Sequence, residues 1–329
     1  MKPYVLGIDI GGTNTVFGIV DARGVVIASD SIKTAKHSKV EDYIDELYNE
    51  VSRLIKANDA EGKIHGIGIG APNANYYNGM IMDAPNLPWP SPIPLAQMVS
   101  SRFGIPVAVT NDANAAAIGE MTYGAARGMK DFIMITLGTG VGSGIVINGQ
   151  VVYGHDGFAG ELGHTIVKRS NGRLCGCGRT GCLEAYCSAT GVARSAREFL
   201  EIRTEPSTLR NLPVDQITSK DVYDAAINGD KLAKDVFEYT GTILGEALAD
   251  MMVFSSPEAF ILFGGLAKSG ELLMRPLREA MERSMLSVFK GKAKGLLSEL
   301  KDADAAVLGA SALGWEAKPL AAVAGGAAG

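Results

Sequence analysis

At 329 residues, 47% apolar and 20% charged, the chain is long enough to bury two modest cores. A net charge of −5 excludes the basic surplus that a nucleic-acid backbone or an anionic membrane would require of a partner. The first apolar run, Tyr4 to Ile10, carries Asp9 and lacks a small-residue cleavage site, and no run reaches the roughly 18 apolar residues of a membrane span, so a cytoplasmic protein is expected.

Tyr4 to Ile10 reads as a strand ending in Gly11-Gly12-Thr13-Asn14, with a second strand over Val16 to Val20. The turn Asp21-Ala22-Arg23-Gly24 leads to a third apolar run, Val25 to Ala28. Val40, Tyr43, Ile44, Leu47, Val51, Leu54 and Ile55 fall at helical spacing and predict a helix over 40–57. Ile64 to Gly70 and Val107 to Thr110 read as buried strands, the latter ending in Asn111-Asp112 before an alanine-rich helix near Ala113. Phe132 to Leu137, then Gly138-Thr139-Gly140-Val141-Gly142, then Gly144 to Ile147, a turn and Val151-Val152 echo the N-terminal pattern. Two copies of strand, glycine turn, strand, turn, strand predict two similar halves facing a shared site. Ser219 to Phe254 and Met274 to Phe289 are expected to be mostly helical, flanking a strand at Ala259 to Phe263 that ends in Gly264-Gly265. Alternating strands and helices make this an α/β protein. The alanine- and glycine-rich stretch 317–329 reads as a frayed tail.

The 41 glycines concentrate where chemistry is expected. In Asp9-Ile10-Gly11-Gly12-Thr13-Asn14 the absence of Cβ atoms lets backbone N–H groups approach phosphate oxygens, while Thr13 and Asn14 add donors. Asp9 at the strand end can hold the water shell of a Mg²⁺ ion. Gly-Gly is also sufficient for a plain tight hairpin. No Gly-Lys-Ser/Thr follows, and a strand rather than a helix comes next, so neither a Walker loop nor a dinucleotide fingerprint is present. Gly138, Gly140, Gly142 and Gly144 at alternate positions would each cost roughly 0.5–1 kcal/mol in a regular strand, which a ligand held close to the backbone would offset. Gly264-Gly265 would suit contact with a flat adenine.

These loops, with Glu161-Leu-Gly-His164 and Cys175-Gly-Cys-Gly-Arg-Thr-Gly-Cys182-Leu-Glu184, resemble the ROK family of repressors, open reading frames and sugar kinases, from about residue 4 to about 315. The stretch Gly181 to Gly191, with Leu183-Glu184-Ala185-Tyr186 and Ser188-Ala189-Thr190-Gly191, looks most like the glucokinases of that family. The resemblance implies a two-lobed hexokinase-like fold (actin-like ATPase, ribonuclease H-like) with a duplicated β-hairpin phosphate-binding unit. The smaller lobe would hold 1–110 with a returning helix near 303–316, and the larger would hold 111–302. It further implies a homodimer that phosphorylates the 6-hydroxyl of a hexose, glucose first, with ATP and Mg²⁺.

Cys175, Cys177 and Cys182, with His164 eleven residues earlier, can close a tetrahedral structural Zn²⁺ site, and the family places zinc on those four. Cys187 falls outside the pattern and is expected to be a small buried residue. A zinc-bound His164 would present its other nitrogen to a sugar hydroxyl, and Glu161 and Glu184 can accept hydroxyl hydrogen bonds. Asp112 is the expected catalytic base: it follows a buried strand, where a carboxylate points into the ligand crevice, although a helix cap would account for the same residue. In the family the Asn111-Asp112 pair binds the sugar and removes its proton, and Asn86 matches a further sugar contact. His37, His65 and His155 receive no role. The resemblance leaves fructose, allose, N-acetylmannosamine and N-acetylglucosamine as other acceptors, and Ala71-Pro72-Asn73-Ala74-Asn75-Tyr76-Tyr77 departs from the Pro-Gly usual there. A sugar-responsive repressor is the rival from another class; only eight residues precede Asp9, too few for a helix-turn-helix. A zinc-ribbon binding module would leave Asp112 and the glycine loops unexplained.

Overall fold

The computed structural model describes residues 2–84, 86–300 and 302–318. In chain order its elements are β1 (Tyr4–Ile10), β2 (Asn14–Asp21), β3 (Val26–Lys33), α1 (Val40–Ala57), β4 (Ile64–Gly70), α2 (Leu95–Phe103), β5 (Val107–Thr110), α3 (Asp112–Tyr123) and β6 (Phe132–Leu137). There follow β7 (Val141–Ile147), β8 (Gln150–Val151), α4 (Glu184–Cys187), α5 (Ala189–Ile202), α6 (Ser219–Ile227), α7 (Lys231–Ser255), β9 (Ala259–Phe263), α8 (Glu271–Ser284), β10 (Lys294–Leu297) and α9 (Asp302–Gly314). The strands expected over 4–10, 64–70, 107–110, 132–137 and 259–263 and the helix over 40–57 are observed at those bounds. The long helical stretch from 219 breaks at Asn228-Gly229-Asp230, where the Asp230 carboxylate accepts the Ala233 N–H and starts a new helix. The helix expected over 274–289 instead spans 271–284. Helices α2 and α5 and strand β10 carried no sequence expectation.

Two compact units result, one from Met1–Gly128, Val151–Ala159 and Glu299–Gly329, the other from Met129–Gln150 and Gly160–Ser298. The division differs from the expected one at residues 110/111, because α3 packs along α9 and stays with the first unit, as does 151–159. Within the expected tail, Ala317 is buried, and 319–329 lie outside the described residues.

The internal echo is carried through in three dimensions. The first sheet has the order β3-β2-β1-β4-β5 and the second β10-β9-β6-β7-β8, the same topology copy for copy. In each, the first two strands pair antiparallel, and the first strand pairs parallel with the one that follows the crossover.

In the first unit, alternation along β1 divides its residues between two faces. Leu6, Ile8 and Ile10 enter a core with Phe17, Ile67, Ile69 and the α1 residues Tyr43, Leu47 and Val51. The opposite face is lined with glycine, and α9 lies directly on it. A Cβ on Gly68 would stand 1.9 Å from the Ala310 carbonyl oxygen, and one on Gly7 2.1 Å from that of Val307. Backbone meets backbone there, and no larger side chain fits. In the second unit α7 packs on α8 beside the sheet, with Phe237, Leu244 and Leu248 facing inward. Among the described residues no helix is long and apolar enough to cross a membrane.

Candidate active site

Strand register assembles the carboxylates of the first unit. Asp9 on β1 lies opposite Gly70 on β4, and Gly70 lies opposite Thr110 on β5, the residue before Asn111-Asp112. Gly70 keeps the space between the two acids open: a Cβ there would be 3.4 Å from Asp9 Oδ1 and 3.6 Å from Asp112 Cα. Helix α3 begins at Asp112, not at Ala113, and its N-cap is Asn111, whose Oδ1 accepts the Ala113 N–H at 2.8 Å. Asp112 Oδ1 shares that donor at 2.8 Å, leaving Oδ2 for other work. The Asn111 side-chain NH₂ has no acceptor among the described residues and can donate to a ligand.

Burial, followed by the charge of Asp112, pushes the Asp9 carboxyl up to about 7, and burial raises Asp112 as well. Asp112 still presents much of its surface to solvent although protein surrounds it on most sides, as expected of an acid set in a concavity. Two carboxylates held this close resist double ionisation, so one proton or a cation between them is favoured.

The adjoining turn is built to expose N–H groups. Gly11 N–H donates to the Asn14 carbonyl at 2.9 Å, while the N–H groups of Gly12 and Thr13 have no acceptor among the described residues. Thr34 N–H fixes the Thr13 carbonyl, and Lys33 Nζ donates to Asn14 Oδ1 at 2.7 Å, which directs the Asn14 amide donors outward. Gly12 lies against Asn86: a Cβ would be 2.6 Å from the Asn86 carbonyl oxygen. Asn86 itself is exposed. Beneath the turn runs a chain of hydroxyls that sequence reading missed. Thr15 Oγ1 is 2.8 Å from Thr34 Oγ1 and 2.9 Å from Tyr43 Oη, all fully buried. The Tyr43 ring also meets Trp89, at the end of the Asn86 loop, with centroids 4.6 Å apart.

In the second unit the Gly138–Gly140 turn repeats this arrangement. Gly138 N–H donates to the Gly140 carbonyl at 3.0 Å, leaving the N–H groups of Thr139 and Gly140 unpartnered among the described residues. The turn's carbonyls face α5 instead, where Ala189 N–H donates to Gly138 and the Thr190 hydroxyl to Thr139. Gly142 falls within β7 rather than in the turn. Glu184 is less free than its sequence position suggested, because Oε2 accepts the Val141 N–H at 2.9 Å and Oε1 the Cys175 thiol at 3.5 Å. It therefore ties the hairpin to the cysteine loop. Glu161 precedes the short 3₁₀ turn Leu162–His164 and is exposed. Gly264 (φ 102°) follows β9 against the backbone of Leu137, where a Cβ would be 2.6 Å from the carbonyl oxygen, so close packing and the positive φ both require glycine there. Gly265 has open space where its side chain would be, as a flat ligand requires.

His164, Cys175, Cys177 and Cys182 converge, with their ligand atoms all within 4.8 Å of one another. A zinc ion with Zn–S bonds of about 2.3 Å would set tetrahedral sulfurs about 3.8 Å apart. Cys177 and Cys182 Sγ are 3.7 Å apart, and Cys175 Sγ is 3.8 Å from His164 Nδ1, so donors and spacing fit. Nδ1 faces the sulfurs, which leaves Nε2 for another partner. Burial pushes the Cys175 thiol up to about 12, and a divalent cation would reverse that by binding the thiolate. Cys187 is buried away from the cluster, with its thiol toward the Thr240 carbonyl. His37 contacts Glu46, and His65 stacks on Trp315.

The sequence is 35% identical over 326 residues to a glucokinase of Halalkalibacterium halodurans, covering 96% of this chain and 95% of that one. A xylose repressor of Caldicellulosiruptor bescii is 30% identical over 312 residues, covering 94% of this chain and 77% of the repressor. The crystal structure of a ROK family glucokinase from Streptomyces griseus in complex with glucose and AMPPNP superposes with a TM-score of 0.77 at 34% identity, covering 95% of this chain and 99% of that one. The likeness identifies the paired α/β units as the hexokinase-like ATPase fold. The ROK family pattern matches residues 5–317, and with relatives this similar along almost the whole length, the chain belongs to the ROK family.

Proposed function

We propose that the protein is an ATP-dependent sugar kinase that transfers the γ-phosphate to the 6-hydroxyl of a hexose, with glucose the leading acceptor. The observation that carries this reading is the Asp9-Gly70-Thr110 register, which brings Asp112 beside Asp9 and next to a turn with unpartnered N–H groups. Asp112 Oδ2 takes the proton of the attacking hydroxyl, Asn111 donates to a neighbouring hydroxyl, and Asn86 is a further sugar contact. The N–H groups of Gly12, Thr13, Thr139 and Gly140, with Asn14, hold phosphate oxygens, and Gly265 lies along the adenine. Asp9 holds Mg²⁺ through water, and that ion would supply charge neutralisation on the phosphates. His164 Nε2 and Glu161 donate to and accept from the sugar, while His164 Nδ1 and the three thiolates hold a structural zinc ion. Glu184 combines any sugar contact with its hold on Val141.

A panel of hexoses with ATP–Mg²⁺, read by formation of phosphorylated sugar, tests the proposal; absence of phosphorylated product from every hexose sinks it. Fructose, allose, N-acetylmannosamine and N-acetylglucosamine belong in the panel, as does polyphosphate as an alternative donor. The likeness to the xylose repressor motivates a second reading, sugar-responsive repression, which a gel-shift assay with and without sugar would reveal. The net charge of −5 weighs against it. A cytoplasmic location and a homodimer complete the proposal; light scattering on the purified chain checks the latter.

A further inference from the structure

The loop 71–77, which departs from the Pro-Gly usual in the family, grips another segment of the first unit. After β8 the chain runs with the first unit from Val151 through Ala159, and at Gly160 it enters the second unit, one residue before Glu161. Residues 153–159 form a turn closed by the Ala159 N–H, which donates to the Tyr153 carbonyl at 3.1 Å. Three consecutive residues of the loop hold that turn. Asn75 Nδ2 donates to the Asp156 carbonyl at 2.5 Å, and the Tyr77 hydroxyl donates to the Gly154 carbonyl at 2.7 Å. Between them the Tyr76 ring lies parallel to that of Tyr153, with centroids 4.0 Å apart.

The side chain at 75 is suited to this by its chemistry. Asn75 is 2% exposed, and its Oδ1 accepts the N–H groups of Tyr77 and Asn78 at 3.0 and 3.4 Å, which aims Nδ2 away from its own loop. Gly157 (φ 90°) leaves the room that Asn75 enters: a Cβ there would be 2.4 Å from Asn75 Nδ2. Past the crossing, the Ser143 hydroxyl on β7 donates to the Gly160 carbonyl and accepts the Leu162 N–H, the latter at 3.2 Å. The chain that enters Glu161 and His164 is therefore anchored at both ends, with only the Ala159–Gly160 peptide between the anchors. A junction that short passes a displacement of the 153–159 turn on to Glu161 instead of absorbing it.

We propose that Asn75 and Tyr77 are positioning residues for acceptor binding, which set the placement of Glu161 and His164 by clasping the 153–159 turn. The inference rests on the kinase reading, in which Glu161 and His164 hold the sugar.

Two variants test it in the full chain. Tyr77 is 59% exposed, so Tyr77→Phe removes one hydroxyl without disturbing the core. Asn75→Asp keeps the acceptor that shapes the loop and removes the donor to Asp156. The sugar KM should rise about threefold to tenfold in Tyr77→Phe and about tenfold or more in Asn75→Asp, with the ATP KM within about twofold of wild type. A merely structural role would lower the unfolding temperature without separating the two substrates. Hydrogen exchange of the substrate-free chain needs no turnover, and amides over 153–164 should exchange faster in both variants. Tyr77→Phe decides the matter if Asn75→Asp does not fold. A sugar KM that stays at the wild-type value, an equal rise in both KM values, or unchanged exchange over 161–164 overturns the clasp while leaving the kinase reading in place. A wild type that phosphorylates no hexose overturns the kinase reading instead, and exchange over 161–164 then decides the clasp alone.

Discussion

Replacing Asp9 by Asn should make the protein more stable, and by an amount that depends on pH. An acid whose folded pKa is raised from 3.8 to about 7 is penalised for being charged in the folded state. The penalty is complete above pH 7, where the carboxyl is ionised whether folded or not. It fades as pH falls and is gone below pH 3.8, where the group is neutral in both states. At about 1.36 kcal/mol per pKa unit the ceiling is roughly 4 kcal/mol at pH 8 and under about 2 kcal/mol at pH 5. Because Asp9 keeps some solvent access, about half of each is the working figure. Asn is close in shape and carries no charge, so Asp9→Asn should gain about 2 kcal/mol at pH 8 and about 1 kcal/mol at pH 5. For a unit of this size each kcal/mol raises the unfolding temperature by about 2–4 °C. Calorimetry in magnesium-free buffer at the two pH values measures this directly. A gain that is absent at pH 8, or equal at both pH values, would refute the burial of a strained carboxylate pair. Kinase activity should fall in the same variant, since the role proposed for Asp9 is to hold a cation.

Asp112→Asn should lower kcat by about 10² or more while the sugar KM changes only a few-fold, as read by a coupled assay; retained turnover would remove Asp112 from the base role. Because burial raises the Asp112 carboxyl and the base must be ionised, wild-type kcat should fall on the acid side at a pH above the ordinary carboxylate range, and a limb at the usual value would contradict the placement. Elemental analysis should find one zinc per chain, lost in Cys177→Ser together with several degrees of thermal stability; a metal-free wild type of full stability would dismiss the zinc assignment. Gly68→Ala should destabilise by about 1–3 kcal/mol or more in chemical denaturation, since its methyl would stand 1.9 Å from the Ala310 oxygen; an unchanged midpoint would mean that α9 does not lie on this face.

Local pattern in the chain was enough to determine the hairpin echo, the α1 stripe of Tyr43, Ile44, Leu47 and Val51, and the convergence of three cysteines with one histidine. Each depends on neighbours a few residues apart, whose relative directions follow from strand or helix periodicity or from a short loop. It also marked Asp9 and Asp112, since each stands at the end of a buried strand. Only the tertiary structure decided what those residues meet. Gly7 and Gly68 looked like members of a general glycine excess, but their purpose is a helix about 300 and about 240 residues further along the chain, respectively. Glu184 looked like a free sugar acceptor, yet it holds Val141, 43 residues away. The Thr15-Thr34-Tyr43 hydroxyls and Arg173 bear no motif, because a buried hydrogen-bond partner is specified by how sheets and helices pack and not by spacing along the chain. The division into units moved for the same reason: β5 ends where a boundary was expected, but α3 finds its apolar partner in α9, and that contact keeps it in the first unit.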